Sequence, residues 1–363
     1  MAAQSGIRVI VPAPEVCMPV AVLHALAAAA LFGASTPVAK LLLGGIDPWL
    51  LGGLLYLGSG LGLGAARLVR DRGWRSAGLS QGEWPWLLGA ILFGGVLGPV
   101  ALMLGLARTG GATASLLLNL ESVFTAMLAW LAFRENAGAR VVAGMVAIVA
   151  GGLVLSGPGQ ASAHDWGGPA AIAAACLCWA IDNNLTRKVS ANDALFIAGA
   201  KGLVAGGVNT GLALGSGLLL PGAGWVVSAM GLGLLGYGLS LVLFVLALRG
   251  LGTARTGAYF STAPFIGAAV ALALPGESAS AAFWLASALM ALGVWLHLTE
   301  HHEHEHTHET LEHSHPHVHD EHHQHDHAAG EPAAGGSHEH PHRHAPITHR
   351  HPHYPDIHHR HVH

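Results

Sequence analysis

Ten stretches of the chain stay apolar for roughly the 20 residues a helix needs to cross a bilayer. They are 19–42, 49–69, 85–106, 112–133, 139–157, 167–186, 194–219, 224–248, 255–274 and 280–298. The links between them are short and carry Gly, Pro, Asp or Arg, the residues that interrupt helices and mark turns. The pattern predicts an all-α polytopic membrane protein of ten transmembrane helices. Stretch 19–42 is long for the apolar core of a signal peptide and has a counterpart later in the chain, so it reads as a helix. Beyond residue 298 the apolar pattern stops and a polar tail begins.

The chain repeats itself. A shift of 142 residues lays Leu106, Gly110, Ala112, Ala126, Ala129 and Glu135 on Leu248, Gly252, Ala254, Ala268, Ala271 and Glu277. Near the start of each half, a shift of 147 lays Phe32–Lys40 on Trp179–Arg187, and one of 146 lays Asp47 on Asp193. Each half then holds five helices. An odd number makes the second half enter the membrane upside down, the inverted arrangement of many secondary transporters, whose substrate site lies near the midplane between halves. The expected organisation is an N-terminal cytoplasmic segment 1–18, a first repeat 19–157, a second repeat 158–298 and a disordered tail 299–363.

Composition agrees with a membrane body. The 363 residues are 52% hydrophobic and 10% charged, with mean hydropathy +0.47, against about 25% charged for a soluble domain. The charge divides unevenly: residues 1–300 hold 14 Lys/Arg and 11 Asp/Glu, whereas 301–363 hold 3 Arg and 10 acids. With the N-terminus inside, 14 basic residues fall on the inner side, and only Lys40 and Arg108 on the outer. The excess of basic residues on cytoplasmic loops sets orientation, so both termini are expected in the cytoplasm and the protein in the inner membrane. Three cysteines, Cys17, Cys176 and Cys178, form no disulfide framework, and the 176–178 pair reads as small buried residues. "GLGLLG" at 231–236 fits the dinucleotide-loop spacing but has no strand before it, and no nucleophile elbow or phosphate-binding loop is present. Neither an enzyme nor a nucleic-acid partner is expected.

Several segments carry a family resemblance. "LLNLESVFTAMLAWLAFREN" (117–136) and "GMVAIVAGGLVL" (144–155) resemble the closing part of an EamA-type repeat of the drug/metabolite transporter superfamily. "STAPFIGAAVALALPGE" (261–277) is similar to the matching part of a second repeat, and "LFGASTPVAK" (31–40) and "WAIDNNLTRK" (179–188) look like the two repeat starts. The resemblance covers roughly 20–298. It implies a ten-helix exporter or exchanger of small metabolites. Departures are Ser122, where the family often has Pro, and Leu55 or Tyr56, where the second helix of a repeat often has a basic residue. In the second half Lys201 supplies that residue.

A charge at the centre of a bilayer costs roughly 3 kcal/mol or more, so it is usually paired or functional. Glu121, Asp182 and Lys201 lie well inside apolar stretches. Asp182 and Lys201 are about 12–14 Å from the loop that joins their helices, which lets them meet. Asn119, Asn183, Asn184 and Asn209 stand on the same helices and could line a polar cavity with them. Amides would bond a substrate, Lys201 would attract a carboxylate, and Glu121 or Asp182 would carry a proton. The plainer alternative is an interhelical tie with Asn as helix glue. Glu135 and Glu277 read as caps or surface ion pairs, and Trp49, Trp84, Trp86, Trp225 and Trp284 as interfacial anchors. Rows Gly58/Gly62 and Gly60/Gly64 suit close helix packing, and a homodimer is left open.

The tail holds 24 of the 27 histidines. Candidate metal ligands are His301, His302, His304, His306, His308, His313, His315, His317, His319, His322, His323, His325 and His327. Alternate residues of an extended chain share a side, and imidazole suits Zn²⁺, Ni²⁺, Co²⁺ or Cu²⁺. No cofactor is required. The expected partners are a small-molecule substrate, the lipid bilayer and divalent metal ions on the tail. The expected function is secondary active export of a small organic metabolite. The alternatives are a transition-metal exporter fed by the tail and a membrane-anchored metal buffer or sensor.

Overall fold

Two aspartates aligned by the internal repeat begin equivalent helices. The Asp47 carboxylate accepts the Trp49 amide at 2.9 Å, and the Asp193 carboxylate accepts the Leu195 amide at 3.0 Å. Each satisfies an amide that the first helical turn leaves without a partner. Ser280 does the same for Phe283 at 3.1 Å.

A computed structural model describes residues 18–73, 77, 79–133, 139–156, 166–189 and 192–299, and in the tail 302–308, 312–317, 338–343 and 347–353. We name the helices α1 (Met18–Leu42), α2 (Pro48–Asp71), α3 (Gln81–Arg108), α4 (Gly111–Leu117 with Leu120–Phe133), α5 (Ala139–Ser156), α6 (Gly167–Arg187), α7 (Ala194–Gly215), α8 (Ala223–Gly233 through Ser240–Phe260), α9 (Ala263–Leu272) and α10 (Ala281–Leu298). Among the described residues, eight helical stretches are long and apolar enough to cross a membrane. Of the ten expected spans, two fall short of that standard. The helix α6 has 21 residues but carries Asp182, Asn183, Asn184 and Arg187, and the apolar stretch Thr256–Leu272 is shorter than the rest. The outside of the bundle is apolar, with Leu23, Leu153, Val227 and Trp284 all exposed. In water such a surface would drive association; for a multi-pass membrane protein it is the lipid-facing side.

The expected break between the eighth and ninth spans lies elsewhere. Helix Ser240–Phe260 runs through 249–254 and the chain bends at Ser261–Thr262. Gly250 and Gly252 each cost a helix only about 1 kcal/mol, whereas Pro264 stands where a new helix begins.

Helix contacts are shared evenly between the two parts of the chain. Helix α1 lies against α8 and α9, and α6 lies against α3 and α4; α2 pairs with α7 and α5 with α10. Exchanging the first five helices for the last five reproduces this set. Irregularities recur too. One π-helical turn, Ile91–Leu97, interrupts α3, and another, Leu234–Leu239, interrupts α8. The bend at Leu118–Asn119 in α4 matches that at Ser261–Thr262 before α9. Glycine allows the closest approach: a Cβ on Gly202 of α7 would stand 2.5 Å from the Gly60 nitrogen of α2. The Gly58/Gly62 row meets α8 instead, at Met230 and Leu234.

Polar groups tie the bundle at its rims. Arg67 is buried and its Nε lies 2.9 Å from Asp193 and 3.6 Å from Asp71, with its guanidinium 5.1 Å from the Phe196 ring centre. Arg70 also binds Asp193. Burial would raise the Asp193 carboxyl, but hydrogen bonds from Arg70 and Arg67 outweigh it and hold it at about 2. At another rim, Glu277 of the second half accepts the Gly111 amide that opens α4. Glu135, its expected counterpart, and His164 lie outside the described residues.

The tail is a separate unit. It was expected to be without regular structure, yet strands β1 (His302–His308), β2 (Glu312–His317), β3 (His338–Arg343) and β4 (Ile347–His353) pair antiparallel, β1 with β4 and β2 with β3. The alternation of His with other residues has the strand period of two, so the composition that argues against a packed core still permits ladders.

Candidate functional site

The centre of the helical unit is built on the first π turn. A π turn widens the ladder to i→i+5, seen in the Gly98 amide on Phe93 carbonyl, and leaves neighbouring carbonyls to find other donors. Here side chains supply them. The Tyr56 hydroxyl donates to the Gly94 carbonyl at 2.7 Å, and the Trp179 indole N–H donates to the same oxygen at 3.1 Å. The Asn209 amide donates to Val96 at 3.1 Å and to Gly95 at 3.4 Å. Three helices, α2, α6 and α7, thus converge on one glycine-rich turn of α3.

The Asp182–Lys201 ion pair sits beside that turn. Lys201 Nζ lies 2.6 Å from both carboxylate oxygens, and the Thr186 hydroxyl donates to Asp182 Oδ1 at 2.8 Å. Both charged residues are 6% exposed. Gly94 leaves the room: any Cβ there would collide with the Asp182 carboxylate. A buried charge without a partner is costly, and a bidentate pair with a third hydrogen bond is a low-cost way to keep two of them. A second polar couple joins α4 to α6, where Asn183 donates to Glu121 Oε1 at 2.7 Å.

Aromatic rings complete the setting. Phe32 of α1 meets Trp179 edge-on at 6.0 Å and Tyr237 at 5.9 Å, and Tyr56 lies 5.5 Å from Tyr237. Phe32 and Trp179 occupy equivalent positions of the two halves, so the contact joins the halves through matched residues.

The expected site residues divide into two groups. Asp182 and Lys201 meet, as do Glu121 and Asn183. The three other amides bond to backbone. Asn184 donates to the Ala180 carbonyl one turn back, Asn119 to the Leu116 carbonyl at the bend of α4, and Asn209 to the π turn. An Asn side chain satisfies a loose carbonyl as readily as a ligand, which sequence spacing cannot distinguish. Asn209 keeps one unpartnered group, its buried Oδ1. Cys176 is buried, and its thiol points at the Leu117 and Leu118 carbonyls at 3.8 and 3.9 Å, so it fills the bend in α4. Tyr56 and Trp179 were not expected at the site. The available signal was that Trp179 lies well inside an apolar stretch, whereas the tryptophans read as anchors lie near span ends. Among the residues whose side chains are described, no three His, Cys, Asp or Glu come together at metal-binding spacing.

Comparisons with known proteins agree with this architecture. Residues 19–157 match the EamA-like transporter family. An "Uncharacterized transporter" of Methanothermobacter thermautotrophicus is 28% identical over an alignment of 290 residues that covers 73% of this chain and 82% of that one. A crystal structure shares the fold with a TM-score of 0.58 at 20% identity, over 76% of this chain and 94% of its own. The family match thus likens residues 19–157, fewer than half of the 363, to an EamA-like transporter.

Proposed function

We propose that the protein is a secondary active transporter that exports a small organic metabolite by alternating access, with Asp182, Lys201 and Glu121 at its substrate and coupling-ion site. The carrying observation is the buried Asp182–Lys201 pair on the glycine-rich turn of α3. Lys201 offers an ammonium to a carboxylate or another anionic group, and Asp182 and Glu121 offer carboxylates to a proton or a cationic group. Asn183 holds Glu121 in place.

The ten helices are proposed to span the membrane as two inverted five-helix repeats. The matched π turns, matched bends and exchangeable helix contacts support that reading. Both termini face the cytoplasm in this scheme, and the membrane is the inner one, as the placement of Lys and Arg indicates. The His-rich tail binds divalent transition metals, without being the transport pathway.

The high His content of the tail favours a second reading, a transition-metal exporter fed by the tail. The two differ in what deletion of 301–363 does to cells overexpressing the protein. Solute export should survive the deletion, and Lys201→Met should abolish it at normal membrane insertion. Collapse of metal tolerance on deletion, with no solute exported by the intact chain, would establish the metal exporter instead. A tail that binds metal with no transport of either kind would identify a membrane-anchored buffer or sensor.

A further inference from the structure

The strand register of the tail places histidine opposite histidine. In the first ladder His302 pairs with His353, His304 with His351 and His306 with His349. In the second, His313 pairs with His342, His315 with His340 and His317 with His338. The two ladders share one register: His313 lies eleven residues after His302, and His342 lies eleven before His353. Two acid–base pairs accompany them, while Glu303 is opposite Pro352 and Glu339 opposite Pro316. Glu305 is opposite Arg350, and Glu312 opposite Arg343. Residues 302–308 run against 347–353, and 312–317 against 338–343, in one alignment that sets histidine opposite histidine at six positions.

We infer that the tail holds transition-metal ions between its strands, one ion in each of two His ladders, and that ligands from both ends of the tail are required at each. Directly opposed residues of an antiparallel pair stand about 4.5–5.5 Å apart at Cβ. The next rung on the same face lies about 6.6 Å along the strand. Two adjacent rungs bring together four histidines, the number of ligands that Zn²⁺ takes in structural sites. His338, His340, His342, His349, His351 and His353 become ligands equal in rank to those of 302–317. The inference rests on the proposed metal binding of the tail and adds to it a pairing. Metal bridging then favours the strand-paired tail over its unpaired form, because ions that bind only the paired state stabilise it.

The test is Zn²⁺ binding to the whole chain in detergent, by equilibrium dialysis, comparing variants that each lose three histidines. The unaltered chain should hold two tight ions. The β4 triple H349N/H351N/H353N and the β1 triple H302N/H304N/H306N should each lose one of them, with at least a tenfold weaker affinity at that site. Combining both triples should cost no more than either alone, because they remove the same site from its two sides. The triple H358N/H359N/H361N, outside the ladders, should keep both tight ions. If every triple costs the same, or if the combined variant loses twice as much, the ladders are wrong while metal binding stands. If the unaltered chain holds no Zn²⁺, both the ladders and the metal-binding reading fail.

Discussion

Glu277, between α9 and α10 of the second half, accepts the backbone amide of Gly111, the first residue of α4 in the first half. A carboxylate at a helix N-terminus satisfies a free amide and meets the positive end of the helix dipole. From α1, Lys40 donates to the Leu106 and Ala107 carbonyls at 2.6 and 3.3 Å, at the end of α3. The short turn between α3 and α4 is therefore held at its carbonyl end by a cation and at its amide end by an anion from the other half. Glu277→Ala should lower thermal stability in detergent by about 1 kcal/mol, as loss of a helix cap does. Glu277→Gln, which keeps an acceptor oxygen, should lose less. Equal melting of the Ala variant and the parent would count against the cap.

The Asp182–Lys201 pair should respond non-additively to substitution. Removing either charge leaves the other buried, a loss of about 3–5 kcal/mol. The double variant Asp182→Asn with Lys201→Met should recover much of that stability and still fail to transport. Melting curves report the first property and a vesicle uptake assay the second. Transport by the double variant would remove the pair from the proposed site.

Tyr56 and Trp179 share one acceptor, the Gly94 carbonyl. Tyr56→Phe should cost about 1 kcal/mol, the net worth of a neutral hydrogen bond. Trp179→Phe should cost more, because ring area against Phe32 is lost as well. Since either donor alone still satisfies the oxygen, the pair of changes should cost more than the sum of the singles. Simple additivity in chemical or thermal unfolding would show that the shared carbonyl does not couple them.

The tie between α2 and α7 predicts a pH dependence. Arg70 and Arg67 hold Asp193 at about 2, below the ordinary Asp value near 3.9. A depressed carboxyl stabilises the folded chain fully above the unfolded value and loses that contribution as pH falls through the folded one. Asp193→Asn retains an N-cap oxygen but loses the charge, so it should destabilise at pH 7 by roughly 1–2 kcal/mol after solvent screening. The gap between variant and parent should narrow as pH falls from 4 to 2. A gap that does not change with pH would mean that the cap, not the charge, holds the two helices.

The helices could be read from the sequence because twenty consecutive apolar residues admit few other structures in a bilayer. The Asp182–Lys201 contact was equally legible, since both charges lie at one depth on helices joined by a short loop. The bends and π turns were not. Nothing local distinguishes Leu118–Asn119 from the helix around it; the bend persists because Cys176, Asn119 and Ser122 satisfy the freed carbonyls. The backbone partners of the site amides were hidden for the same reason. Asn209 faces α3, and its partner is a backbone oxygen that appears only once the π turn forms. The tail strands were missed because their partner lies some 20 to 50 residues away in sequence, a distance that local pattern does not span.

The π turns of α3 and α8 have a consequence for the helices that carry them. Each inserts one extra residue into the winding, and one residue of an α-helix corresponds to about 100° of rotation. The part of α3 after Leu97 is thereby turned relative to the part before Ile91, and α8 is turned likewise between Gly233 and Ser240. Each helix acts as two offset cylinders on one axis. Unwinding the extra residue would rotate one end against the other without breaking the chain's path across the bilayer.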